Sequence, residues 1–213
     1  MLPLNNNYYL VCFTATLVIC SMLAANADWR VPDERYVQGY YAVSNVALDD
    51  VLNVREEPRG SSPKLGSLAF NKDIVEIVSM NSAGSWGMVR LGEHMGWTSM
   101  RYLRPTRVTT FGGTNIPIGL RCFLEEPFVT YTFGAGVIIE SRLGSAEQHF
   151  TIVEIIPNET HYKIYFEASD IVRSMNLTMD AKGTSTMADV SFLWSFSIDG
   201  SNLGTAGCTL SED

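Results

Sequence analysis

The sequence predicts an all-β protein, with a small, strongly curved barrel of short strands followed by a second antiparallel barrel or sandwich. Three observations lead there. Apolar residues recur with period two, as a strand with one buried face requires, and no long stretch keeps a helical period. Clusters of Gly, Pro, Asn and Ser separate the apolar segments at short intervals. The 213 residues, once an export segment is set aside, suit two modest cores.

The first element is that export segment. Met1 to Tyr9 is polar, Leu10 to Ala25 is apolar, and Ala25-Asn26-Ala27 supplies small residues ahead of Asp28-Trp29-Arg30. Residues 1–27 therefore read as a signal peptide cleaved after Ala27. An uncleaved anchor is the alternative, because a basic start is missing. Residues 28–39 form an N-terminal segment before the first strand. No later stretch approaches the length of a spanning helix, so a periplasmic or secreted protein without a membrane span is expected. The net charge of −8 disfavours nucleic acid and anionic lipid, which attract clustered Lys and Arg.

The next elements are short strands at Tyr40–Val46, Val51–Val54, Ile74–Val78, Trp86–Leu91 and Met95–Met100. Gly60-Ser61-Ser62-Pro63, Asn81–Ser85 and Gly92-Glu93-His94 supply the turns between them. Five strands in so short a span point to a small barrel, with a sandwich as the competing arrangement.

Within this stretch Leu52-Asn53-Val54-Arg55, the Pro58–Pro63 loop, Gly66, Trp86-Gly87-Met88-Val89, Gly96-Trp97 and Arg101-Tyr102-Leu103 follow one another in a characteristic order. Residues 40–105 thereby resemble the bacterial SH3 family, often called SH3b. The resemblance implies an SH3-like barrel whose ligand is a cell-wall peptide, a glycan or a protein partner. Exposed aromatics would form its recognition surface, which makes Tyr41, Trp86, Trp97 and Tyr102 the candidate ligand-binding residues. Trp97 also fits a core role, as Trp86 does less strongly, with Gly96 allowing a sharp turn while the Trp97 ring covers the barrel end.

Residues 106–118 hold two Gly, one Pro and little alternation, and read as a linker. Longer alternating segments follow in residues 119–213. Val190, Phe192, Trp194, Phe196 and Ile198 share one face of a single run. Val129, Tyr131 and Phe133 share another, as do Tyr162, Ile164 and Phe166. Val137 to Ile139 and Ile152 to Ile156 add two strands, and Asp199-Gly200 reads as a hairpin turn into a last strand near Cys208.

Cys122 and Cys208 are the two cysteines outside the export segment. In an oxidising compartment they suggest one disulfide, and two buried thiols are the alternative. Leu120-Arg121-Cys122-Phe123, Glu126-Pro127-Phe128, Met187-Ala188-Asp189 and Gly207-Cys208 resemble an uncharacterised exported β-barrel domain often found beside SH3b modules. Its opening motif reads Cys-Phe-Gly-Thr-Glu-Pro-Phe-Trp. Here Leu124 and Glu125 replace Gly-Thr and Val129 replaces the Trp, so the resemblance implies the fold without implying a ligand site built on that Trp. The matching ends support pairing Cys122 with Cys208.

Nothing in the sequence spells out a reaction, a metal or a cofactor. His94, His149 and His161 lack metal-ligand spacing. Asp49-Asp50, Glu56-Glu57 and Glu125-Glu126 are adjacent pairs, which point to opposite faces of a strand and make poor acid and base partners. Gly134-Ala135-Gly136 lacks the third glycine and the helix of a dinucleotide motif. The catalytic Cys and His of cell-wall peptidases that carry SH3b modules have no counterpart. A non-catalytic envelope binding or adaptor protein is expected, and a small-ligand carrier or inhibitor using the second barrel is the alternative.

Overall fold

Two hydrophobic cores, one mainly from residues before 106 and one mainly from residues after, organise the computed structural model, which describes residues 38–126, 128–185, 189–199 and 206–210. The signal peptide, Pro127, Met187-Ala188 and Gly200 lie outside the described residues. No helix among those described is long and apolar enough to cross a membrane.

The first core is enclosed by two antiparallel sheets. Strands β1 (Gly39–Val43), β4 (Val75–Ile77) and β8 (Leu103–Pro105) form one, in the order β4-β1-β8. The other contains β2 (Val51–Arg55), β3 (Lys64–Ala69), β5 (Ser79–Met80), β6 (Trp86–Leu91) and β7 (His94–Ser99), in the order β3-β2-β7-β6-β5. Tyr41, Val54, Ile77, Val89 and Met100 fill the space between them. The segment expected as one strand at Ile74–Val78 divides at Val78, and the chain passes there from one sheet to the other. Met100 leaves β7 for a 3-10 turn, Met100–Tyr102. Strand β3 has no counterpart in the sequence reading, because Leu68 is its one buried side chain and the alternation is lost.

Gly96 lies inside β7 rather than at a turn. A Cβ there would stand 2.5 Å from Val54 Cγ1 and 3.2 Å from the Arg55 carbonyl oxygen, so its task is to let β7 approach β2.

The second core is the interior of a closed antiparallel barrel, which decides between barrel and sandwich. Its strands are β9 (Arg121–Leu124), β10 (Val129–Phe133), β11 (Val137–Arg142), β12 (Gln148–Asn158), β13 (His161–Ala168), β14 (Ile171–Thr178), β17 (Trp194–Ile198) and β18 (Ala206–Thr209). The short pair β15 (Gly183–Thr184) and β16 (Ser191–Phe192) forms a separate two-stranded sheet. Closure leaves the barrel without an edge strand open to another chain. Phe133, Phe150, Phe166, Trp194 and Phe196 are almost fully buried inside it. A register shift between Ile152 and Glu154 marks a bulge in β12, with Val153 exposed.

Two expectations change here. The run Val190 to Ile198 is not one strand, because the chain bends at Leu193 between β16 and β17 and buries Phe192, Leu193 and Trp194 in succession. Strand β14 went unseen because Ile171 and Val172 are exposed, leaving Met175 and Leu177 as its inward anchors.

Cys122 and Cys208 stand opposite each other on β9 and β18 and are joined by a disulfide. The bond locks the first and last barrel strands together, and it is compatible with a compartment outside the cytoplasm.

Residues 106–118 form an ordered turn. Thr110 and Pro117 make an isolated bridge, the Phe111 N–H donates to the Ile116 carbonyl at 2.9 Å, and Gly112 and Gly113 take the positive φ values of the reversal. Ile116 is buried in the barrel core, and the Asn115 N–H donates to the Tyr162 hydroxyl at 3.1 Å. Val78, between β4 and β5, is itself part of that core, and Met88 and Met95 of the first sheets pack against it. Glu76 accepts hydrogen bonds from the Thr209 hydroxyl at 2.6 Å and the Leu210 N–H at 2.8 Å.

Candidate functional site

The four candidate aromatics go to three different places. Tyr41 is 2% exposed within the first core, so it is a packing residue and cannot present its ring to a ligand. Trp97 is half-buried on β7, opposite Met88 and Arg55, and belongs to neither buried core. Trp86 and Tyr102 are half-buried too, and they line one cleft together.

That cleft has a volume of about 520 Å³. Its walls come from the turn after β1, strand β2, the start of β6 and the 3-10 turn, and Asn45, Asp50, Asn53, Arg55 and Arg101 supply polar groups beside the rings. Each wall is held by local hydrogen bonding. The Asn81 side-chain oxygen accepts the Ser85 N–H at 2.9 Å and the Trp86 N–H at 3.1 Å, which fixes the backbone that carries the indole. The Ser44 N–H donates to the Tyr102 carbonyl at 2.9 Å and joins the turn after β1 to the aromatic wall. Asn45 there takes a positive φ of 57°, a conformation Asn tolerates better than most residues. Arg55 donates to the Ser62 carbonyl at 2.6 Å, and the Arg101 guanidinium lies 5.5 Å from the Tyr102 ring centre.

Chemically the cleft offers flat rings flanked by donors, with one acceptor carboxylate at Asp50. Rings of this kind give contact area at little entropic cost, and the guanidinium edges recognise carbonyl or carboxylate oxygens. Among the described residues, no three of His, Cys, Asp and Glu gather in a way that could hold a metal ion. His94 and His149 are exposed, and His161 Nδ1 lies 2.8 Å from the Thr178 hydroxyl.

A second polar cluster escaped the sequence reading. Glu140 is 2% exposed and faces the barrel interior beside Tyr131. Arg142 donates to it at 2.6 Å and Arg173 donates to its other oxygen. Burial pushes the Glu140 carboxyl up, but hydrogen bonds from Arg142 and Tyr131 and the charges of Arg173 and Arg142 outweigh it and hold the group below the usual carboxylate range. The Tyr131 hydroxyl is pushed up to about 12, first by burial and then by the Glu140 charge. One signal of this cluster was available, since Glu140 has the same parity along β11 as buried Ile138.

Comparison with family models, with curated proteins and with solved structures finds no match to this chain.

Proposed function

We propose that this chain is an exported, non-catalytic binding or adaptor protein of the bacterial cell envelope, and that the Trp86–Tyr102 cleft takes a cell-wall peptide or glycan, or a segment of an envelope protein. The observation that carries the reading is that Trp86 and Tyr102, from separate elements, line one cleft with Arg55 and Arg101. Three further points support it: the resemblance of residues 40–105 to the bacterial SH3 family, the leader-like residues 1–27, and a disulfide that suits an oxidising compartment.

The carrier alternative would need space inside the barrel for an apolar molecule. Phe133, Phe150, Phe166, Trp194 and Phe196 occupy that interior, which gives the alternative no support.

Retention on purified murein sacculi tests the proposal directly. Sedimentation of the protein with sacculi, lost in a variant lacking both cleft aromatics, is the expected result. Sedimentation no greater than that of an unrelated acidic protein would remove the cell wall from the candidate ligands, and failure to capture an envelope protein by crosslinking from the cleft would end the adaptor reading as well.

A further inference from the structure

Separate cores with a linker between them would make residues 40–105 a detachable module. The joint with the barrel is built otherwise. Val78, where the chain passes from β4 to β5, is 3% exposed and belongs to the barrel core. Trp194, fully buried inside the barrel, finds the acceptor for its indole N–H in Tyr40, next to the start of β1. Glu76 of β4 is 7% exposed, and the donors that reach it from the barrel are the Thr209 hydroxyl and the Leu210 N–H. Strand β6 serves both halves. Its alternate residues share one face, so Trp86 lines the cleft, Met88 packs on the barrel core and Arg90 lies 5.4 Å from the Phe192 ring centre. The segment between the halves is itself tied down, because Ile116 is fully buried in the barrel core and the Asn115 N–H is bonded to Tyr162.

We propose that residues 40–105 and the barrel are one cooperative unit, coupled through this joint, so that neither half keeps its fold while the other is open. The physical ground is what parting them would cost. It would return the apolar surface of Val78, Met88, Met95 and the Tyr40 ring to water, together with the barrel side chains they cover, and it would give up the hydrogen bonds made to Glu76 and by Trp194. A unit as short as residues 40–105 buries a small fraction of its surface and does not spare that contribution. Domains that meet through polar surface contacts and a flexible linker move and melt separately, whereas here each half completes the interior of the other. The described residues all fall within one compact unit. A molecule bound in the cleft therefore stabilises the barrel as well as its own half, by linkage. This holds for any ligand of the cleft, whatever its class.

Pulsed hydrogen–deuterium exchange of the full chain across a urea titration tests the proposal. Mass spectrometry of peptides covering β2 and β7, and of peptides covering β12 and β13, gives each half its own unfolding midpoint. The two midpoints are expected to coincide. Phe150→Leu alters a barrel side chain packed on Phe166, and Val54→Ala alters the first core. Each is expected to lower both midpoints by the same amount. Two separate midpoints in the unaltered chain, or a substitution that lowers the midpoint of its own half alone, would overturn the proposal. A variant chain open in both halves without urea would support it, and one open in a single half would overturn it.

Discussion

Trp194 Nε1–H donates to the Tyr40 hydroxyl at 2.8 Å, joining a fully buried indole of the barrel to the first strand of the preceding sheets. Burial raises the Tyr40 hydroxyl well above its usual range, the nearby Glu76 charge raises it further, and the Trp194 bond offsets part of this. The hydroxyl therefore stays protonated and continues to accept from the indole. Tyr40→Phe leaves that indole N–H buried without its acceptor, at a cost of about 2 kcal/mol. Urea unfolding should show a lower midpoint at unchanged slope, and an unchanged midpoint would show that the bond adds no stability.

The disulfide joins residues 86 apart in sequence across the strands that close the barrel. Chain entropy puts its contribution at about 4 kcal/mol. Unfolding with and without a reductant, compared with a Cys122→Ala, Cys208→Ala double variant, should give matching losses. A loss under reductant that the double variant does not share would point to reagent effects.

Glu140 makes stability depend on pH in a direction that can be worked out. Its folded-state pKa lies below the ordinary carboxyl value of 4.5, so its contribution is complete above that value and is lost as pH falls through the depressed folded value. Glu140→Gln is expected to cost about 2 kcal/mol at neutral pH, less than for a fully buried pair because Arg142 and Arg173 keep partial access to water. The variant should also show a flatter decline of melting temperature below pH 4.5. A parallel decline in both proteins would rule the assignment out.

Tyr131 acts at the other end of the scale. Its hydroxyl titrates near 12 when folded against 10.0 for the free group, so its contribution is complete below pH 10 and is lost between those values. Tyr131→Phe should be less sensitive to alkali over that interval, as followed by tyrosinate absorbance and unfolding together.

In the cleft, Trp86→Ala and Tyr102→Ala are each expected to weaken retention on sacculi, or on the partner that crosslinking identifies, about tenfold. Tyr41→Phe should leave binding unchanged, since that ring is buried in the core. A Tyr41 effect as large as that of Trp86 would mean the cleft is not where the ligand sits.

Period-two patterning made much of the fold legible. Val129–Phe133 is found within the bounds read for it, and the apolar faces of Tyr162 to Phe166 and of Trp194 to Phe196 do point inward. Strands that bury few side chains were invisible for the same reason, as β3 and β14 show. Trp86 and Tyr102 were legible as candidates by residue type. Whether an aromatic lies inside or on a cleft depends on strand parity and sheet order, and on that ground Tyr41 went to the core and Trp97 to a sheet face.

Local alternation and turn chemistry therefore determined, from the sequence by itself, that this protein is built of strands and where most of them run. Only the tertiary structure decided that eight of them close into a barrel, that the expected Cys122–Cys208 disulfide falls on the closing pair of strands, and that Arg90 reaches Phe192 across the boundary between the two β units. The physical reason is range: a residue's own neighbours set the pleat, whereas closure and grooves arise from pairings between segments far apart along the chain, which a one-dimensional pattern does not encode.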